Sequence, residues 1–321
     1  MPEAMVAGAG AAGLGAARVP SPLPLPGFLQ ERIGPAVLEL TLPSNAPAVD
    51  FTTPIGEEAL AAPDSVAWQV FKNPVALFIG GVAAVILELA EPKVRTGVWE
   101  HSSFRADPVD RLRRTGLAAM ITVYGARSRA EEMIAGVVRL HGKVTGHTPD
   151  GAAYHANDPD LLDWVQATAS FGFVEAWRRY VRPLSGEDLD RYYAESRPGA
   201  RLYGAVSAPT SEAARRALFE AMRPRLEPSP IVREFLDIMR KAPAFPAPMR
   251  PLQRMLIRAA VDTTPGWVRE LLGLTEEGLR PWELPQVLLA AALSERLMLP
   301  SSPAVQSCIR LGLPPDYLYR R

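Results

Sequence analysis

The sequence holds four histidines, His101, His141, His147 and His155, and one cysteine, Cys308. No His-Glu-x-x-His motif, no His/Cys zinc spacing, no EF-hand loop and no Gly-x-Ser-x-Gly elbow occurs, so zinc-enzyme and hydrolase chemistry lack a motif. His141 differs from its fellows because Ile134, Val137, Val138 and Thr145 share its helical face, a stripe that is otherwise mostly apolar. Its imidazole is expected to point inward, where the ring nitrogens need partners. It is either a core histidine with its hydrogen bonds met or a metal ligand. The simplest metal reading is a haem iron held by one proximal histidine. A second group precedes it: Arg111, Arg114 and Thr115 fall at i, i+3 and i+4 on one helical face. Such a face is either a solvated basic surface or a place for carboxylates such as haem propionates. Two guanidinium groups beside a hydroxyl could also polarise a bound oxygen species.

The elements that would carry these residues are marked by helix punctuation. Asn73-Pro74, Asp107-Pro108 and Asp158-Pro159 each set a capping residue ahead of a proline at the first helical position. Ser128 to Glu131 and Ser185 to Asp188 have the spacing of capping boxes. Leu161, Trp164, Val165, Thr168 and Phe171 form another helical stripe, and Tyr124-Gly125 and Tyr203-Gly204 look like helix stops. Further helices are predicted over 211–222, 231–239, 252–261 and 284–297. No stretch alternates with period two between turn signals, so no sheet is expected. The predicted fold is therefore all-α, a single multi-helix globular domain. Gly80-Gly81, inside the apolar stretch 75–91, costs helix propensity. Either a crossing helix or a flat ligand approaching closely would account for it.

Of the 321 residues, 48% are hydrophobic, ample for a core, and the 35 basic residues match the 35 acidic ones. That balance gives no support to nucleic acid as a partner. Residues 1–60 are rich in Ala, Gly and Pro and read as a flexible or loosely docked arm, leaving 61–321 as the helical domain. Gly8, Gly10 and Gly13 form a G-x-G-x-x-G string, but without the strand and acidic residue that a dinucleotide site requires. Cys308 has no partner for a disulfide and reads as a small buried hydrophobe. The longest apolar run, 75–87, is too short to span a bilayer, and no secretory signal is visible. These features suit a cytoplasmic setting, with peripheral membrane association left open.

In order along the chain, Asn73-Pro74 through Gly97-Val98, His101-Ser-Ser-Phe-Arg-Ala-Asp-Pro108, Arg111-Leu-Arg-Arg-Thr115 and Val138-Arg-Leu-His141 resemble the MpaB/rubber-oxygenase family, which includes the latex-clearing proteins. Tyr154-His-Ala-Asn-Asp-Pro159, Leu162-Asp-Trp164, Leu184-Ser185 and Tyr192-Tyr193-Ala194-Glu195 continue the likeness, with a weaker echo at Pro265 to Gly273. The resemblance implies an all-α fold around haem b and an oxygenase activity. It maps the proximal iron ligand onto His141 and the family's paired Arg and Thr onto Arg111 and Thr115. A lysine that caps the distal iron in rubber-cleaving members falls at Arg114, which stays protonated and cannot ligate iron. The distal side is then expected to be open, water-ligated or screened by guanidinium. Glu91-Pro92 stands where many relatives carry His-Pro, and His101 is expected to be structural. The rubber enzymes are secreted and the fungal namesake is membrane-bound. With neither an export signal nor an anchor in view, rubber is not the expected substrate.

The expectation is thus a haem b-dependent oxygenase using dioxygen or peroxide on an apolar small molecule, with unsaturated and terpenoid-like compounds as candidates. His141 would bind the iron, and Arg111, Arg114 and Thr115 would serve the propionates or the reacting face. The alternative is a non-enzymatic haem or apolar-ligand binding protein on the same helical scaffold.

Overall fold

The computed structural model describes residue 22 and residues 49–320. The glycine string near the start, and most of the expected arm, lie outside the described residues. Thirteen α-helices occur among the described residues: α1 (Val66–Val70), α2 (Pro74–Glu88), α3 (Pro92–His101), α4 (Pro108–Tyr124), α5 (Arg127–His141), α6 (Pro159–Tyr180), α7 (Gly186–Tyr203), α8 (Glu212–Met222), α9 (Pro230–Lys241), α10 (Arg250–Thr263), α11 (Gly266–Leu271), α12 (Leu284–Glu295) and α13 (Pro303–Arg310). The all-α expectation holds.

α2 and α6 are the central pair. They approach so closely at Gly80 and Gly172 that a Cβ on Gly80 would lie 2.7 Å from the Gly172 carbonyl oxygen. No other residue type allows the backbones this near, so the helix crossing accounts for Gly80, while a Cβ on Gly81 would make only an ordinary contact with Phe173 at 3.8 Å. Around the pair, Trp164, Phe171, Phe219, Phe235 and Leu256 build one apolar core, and Trp68, Tyr124, Trp177 and Tyr193 a second. α12 is tied to the start of α2: Lys72 pairs with Glu295 at 2.7 Å, and the Asn73 amide donates to the Ala291 carbonyl at 3.0 Å.

Most start signals work as their chemistry dictates. Asn73 accepts from Val75 and Ala76, Asp107 accepts from Asp110, and Ser185 with Asp188 forms a reciprocal capping box. Ser128 does not cap α5, because the helix begins one residue before it. The Glu57 carboxylate instead accepts from the Ser128 amide at 2.6 Å and the Ser128 hydroxyl at 3.0 Å. An acid far away in sequence thereby does the work expected of a local box. Asp158 likewise accepts from the His155 amide rather than from its own helix.

Two features depart from expectation. A small antiparallel hairpin, β1 (Thr145–His147) with β2 (Ala153–His155), follows α5. Three residues per strand are too few for an alternating pattern to register. The turn is set by Thr148, whose hydroxyl accepts from the Ala152 amide at 3.0 Å, and by Gly151 at φ +87°. Thr145 thus lies in a strand, and the helical stripe ends at His141. The second departure concerns residues 49–60, the end of the expected arm. Phe51 and Ala59 are buried, and the Arg310 side chain donates to the carbonyls of Phe51 and Glu57 at 2.9 and 2.8 Å. Ordered packing therefore begins ahead of position 61.

Candidate active site

Four helices bring polar side chains together at one end of the central pair. α2 contributes Glu88, its last residue and the only charged one in an apolar helix. α6 contributes Thr168, fully buried, whose hydroxyl donates to the Val165 carbonyl at 2.9 Å and lies within reach of the Glu88 carboxyl. α4 contributes Arg111, one turn past its cap, and α5 contributes His141 at its final turn.

The electrostatics follow from burial. Glu88 lies deep among the helices, and desolvation pushes its carboxyl up to about 7, although the Arg111 guanidinium and the Thr168 hydroxyl pull the other way. It nevertheless keeps accessible surface, as do Gly81 and Val85 on the same row of α2 and Val165 and Ala169 on α6. Arg111 is also held below its ordinary value by burial, with Glu88 opposing and Arg114 adding to the shift. Its guanidinium donates to Thr115 Oγ1, and the Thr115 hydroxyl donates back to the Arg111 carbonyl at 2.9 Å. His141 is half-buried. Burial first, and the Arg111 charge second, lower its pKa, so the ring is uncharged at neutral pH.

The structure thus joins Arg111 to His141 and Glu88 electrostatically and to Thr115 by hydrogen bond. Arg114 is exposed and acts on the group through its charge. His141 Nδ1 is enclosed and meets no hydrogen-bond partner among the described residues. Asn157 donates to the Val138 carbonyl at 3.1 Å, one turn before His141, and its own Oδ1 is likewise enclosed and unmatched. The other motif residues are engaged elsewhere. His101 Nε2 lies 3.2 Å from the Tyr154 hydroxyl, and His155 Nδ1 accepts from the Asn157 amide. Glu91 caps α3 at the Val94 amide and accepts from Arg225 at 3.1 Å. Two surface clefts, one beside Phe51 and Arg129 and one beside Ile134 and Leu202, include none of Glu88, Arg111 and His141.

Nor do α4 and α5 bury these surroundings fully. The first three turns of α4 contain no fully buried residue, and a Cβ on Gly116 would meet nothing within 4 Å. α5 buries only Ala130 and Ile134.

The family model described as ER-bound oxygenase mpaB/B'/Rubber oxygenase, catalytic domain, matches residues 68–294. The chain belongs to this family. No curated protein and no solved structure matches it. The match runs from α1 to α12 and so includes every residue of the Glu88, Arg111, His141 and Thr168 group. Membership in the mpaB/rubber-oxygenase family makes the chain an oxygenase-type enzyme domain. Among its described residues no single helix is long and apolar enough to cross a membrane. α2 and α3 pass such a test only as a pair bent by 113°, and α2 is the packed centre of the fold.

The residues also bear on the cofactor. Among the described residues no group of three or more His, Cys, Asp or Glu side chains could hold a metal ion. The donor set is a single neutral imidazole with an unmatched nitrogen, next to a guanidinium and half-covered apolar rows. A haem needs one protein ligand, cations for its propionates and an apolar slot, and these residues fit it.

Sequence reasoning did not single out Glu88 or Thr168. Glu88 had a signal: one acid closing fourteen residues without a charge. Thr168 stood in its stripe as the one polar member, a position with no signature of its own.

Proposed function

We propose that this enzyme is a haem b-dependent oxygenase acting on an apolar small molecule, of which unsaturated and terpenoid-like compounds are the candidates, in a cytoplasmic setting. The observation that carries this reading is the uncharged His141 with its unmatched ring nitrogen beside the Arg111 guanidinium. His141 would hold the iron. Arg111 and the exposed Arg114 and Thr115 would hold the propionates, or Arg111 would screen the reacting face. When bound, haem supplies the iron centre at which dioxygen or peroxide is activated.

The chain's own residues supply the rest. A neutral imidazole offers a lone pair without first losing a proton, and burial keeps it neutral. Arg111 keeps a fixed positive charge in a poorly hydrated place, where it stabilises developing negative charge more strongly than in water. Glu88, poised near neutrality, can hold or take up a proton at its carboxyl oxygen, and the protonated acid can donate to the Thr168 oxygen, whose own hydrogen is engaged by the Val165 carbonyl. The half-covered rows around Val85, Val165 and Ala169 favour an apolar substrate and keep water from the reacting atoms.

Absorption spectroscopy of the purified full-length chain, with haemin added if needed, tests the reading. A Soret band is expected, and His141→Ala should lose or shift it while the far-ultraviolet helical signal stays. A colourless protein that takes up no haemin would overturn the proposal. A Soret band without oxygen consumption on any unsaturated lipid or terpenoid would favour a haem-binding protein that is not an enzyme.

A further inference from the structure

α12 is apolar on both of its sides. Toward the core it sends Val287 and Ala291, both fully buried. Away from the core it presents Leu284, Leu288, Leu289 and Leu293, with Trp282 on the turn leading into it. Trp282 is 63% exposed and Leu289 60%, values expected of lysines rather than of large hydrophobes. Leu284 with Leu288, and Leu289 with Leu293, stack at i, i+4 in two adjoining rows, so the exposed carbon forms one ridge. At about 18 Å this helix is too short to span a bilayer.

The charges around the ridge are one-sided. Its two acids, Glu283 and Glu295, are buried and paired with Arg258 and Lys72. Asn73 holds the Ala291 carbonyl, while Phe78, one turn into α2, meets Phe245 just ahead of α10 edge to face, with ring centres 5.1 Å apart. With Glu283 on Arg258, these contacts set α12 antiparallel beside α10. Arg254 and Arg250 lie one and two turns upstream of Arg258 on the same row of α10, the helix that reaches Glu283 through Arg258. Both are exposed, and neither meets a carboxylate among the described residues. Arg280 adds a third cation, 5.6 Å from the centre of the Trp282 ring.

We propose that α12 and this arginine row dock the protein on the surface of an anionic lipid bilayer. Leucines along one face of a helix enter the boundary between headgroups and acyl chains, a tryptophan sits at that boundary, and flanking arginines meet lipid phosphates. A second copy of the chain suits the face less well. A two-fold contact across α12 brings two arginine rows to the seam, and the acids of this helix are already committed. The inference stands apart from the haem reading, because none of its residues touches Glu88, Arg111 or His141.

Co-sedimentation of the full-length protein with phosphatidylcholine vesicles, with and without phosphatidylglycerol, tests it. Binding should need phosphatidylglycerol and weaken in high salt. The double variant Leu288→Glu, Leu289→Glu should cut binding by roughly tenfold or more, and because both side chains are exposed it removes the ridge without touching the core. Arg250→Glu with Arg254→Glu should abolish the dependence on anionic lipid while leaving the leucines in place. No vesicle binding, or binding that neither variant changes, would overturn the proposal. So would a dimer in light scattering that Leu289→Glu splits and that ignores vesicles, which would assign the face to a second copy.

Discussion

Burial of Glu88 makes the stability of the fold depend on pH near neutrality. A carboxyl raised from 4.5 to about 7 binds its proton more tightly in the folded chain than in the unfolded one. Its contribution to stability is therefore fully present below the unfolded value and is lost as pH rises toward and through 7. At 1.36 kcal/mol per unit the loss is at most about 3 kcal/mol, and relaxation around the carboxylate reduces it. Urea unfolding between pH 5 and 8.5 should show the wild type weakening across that window. Glu88→Gln, which keeps the shape without the titration, should flatten the dependence. An identical decline in the variant would mean that Glu88 is already ionised in the fold. His141 and Arg111 could be found in the sequence because each is an odd residue on a patterned face. The raised carboxyl could not, because it is produced by burial, which the packing of distant segments sets and no local pattern records.

The central helix pair is the element that everything else leans on, and its glycines separate two uses of one residue type. Gly172 lies where a Cβ would strike the backbone of α2 at Gly80. Gly172→Ala must push the helices apart, at a cost of about 1–3 kcal/mol or more for overpacking. Gly116, inside α4, has open space around it, so Gly116→Ala removes only the helix penalty and should stabilise by up to about 1 kcal/mol. Chemical denaturation of the two variants should therefore give shifts of opposite sign. Equal effects would place the contact between α2 and α6 elsewhere. The doublet Gly80-Gly81 announced a close approach in the sequence, and the proline-led helix starts were equally legible, because both follow from local sterics. Ser128 misled because its spacing matched a capping box while Glu57, seventy-one residues away, was better placed to satisfy the same amides. The hairpin after α5 stayed invisible because strands of three residues carry no period.

At the scale of the whole molecule, the site depends on a closure made far from it. The Arg310 side chain, 1% exposed, donates to the carbonyls of Phe51, Glu57 and Tyr124, at 2.9, 2.8 and 2.7 Å. Those three carbonyls belong to the segment before α1, to the same segment nearer α5, and to the last residue of α4. One guanidinium thus locks residues 51–57, the short final helix α13 and the helix that bears Arg111. Nothing in the sequence marked it, since an arginine near the end of a chain normally faces water. Burial lowers its pKa, with Glu57 opposing, but a guanidinium still keeps its charge at any working pH. Arg310→Ala would leave the Phe51 and Glu57 carbonyls without donors, while the Tyr124 carbonyl keeps the Ser307 hydroxyl at 2.8 Å, a loss of about 2 kcal/mol or more. Residues 49–60 would then be held by the Phe51 amide on Gln306, the Gly56 amide on the carbonyl at position 310 and the bonds of Glu57 and Glu58 to the start of α5, without the central guanidinium, and they should detach first. Limited proteolysis of the variant is expected to cut there before any helix is lost, and Glu57 should then stop capping α5. If the variant resists protease as the parent does, the segment is held by the apolar contacts of Phe51 and Ala59 instead, and α4 is positioned without it.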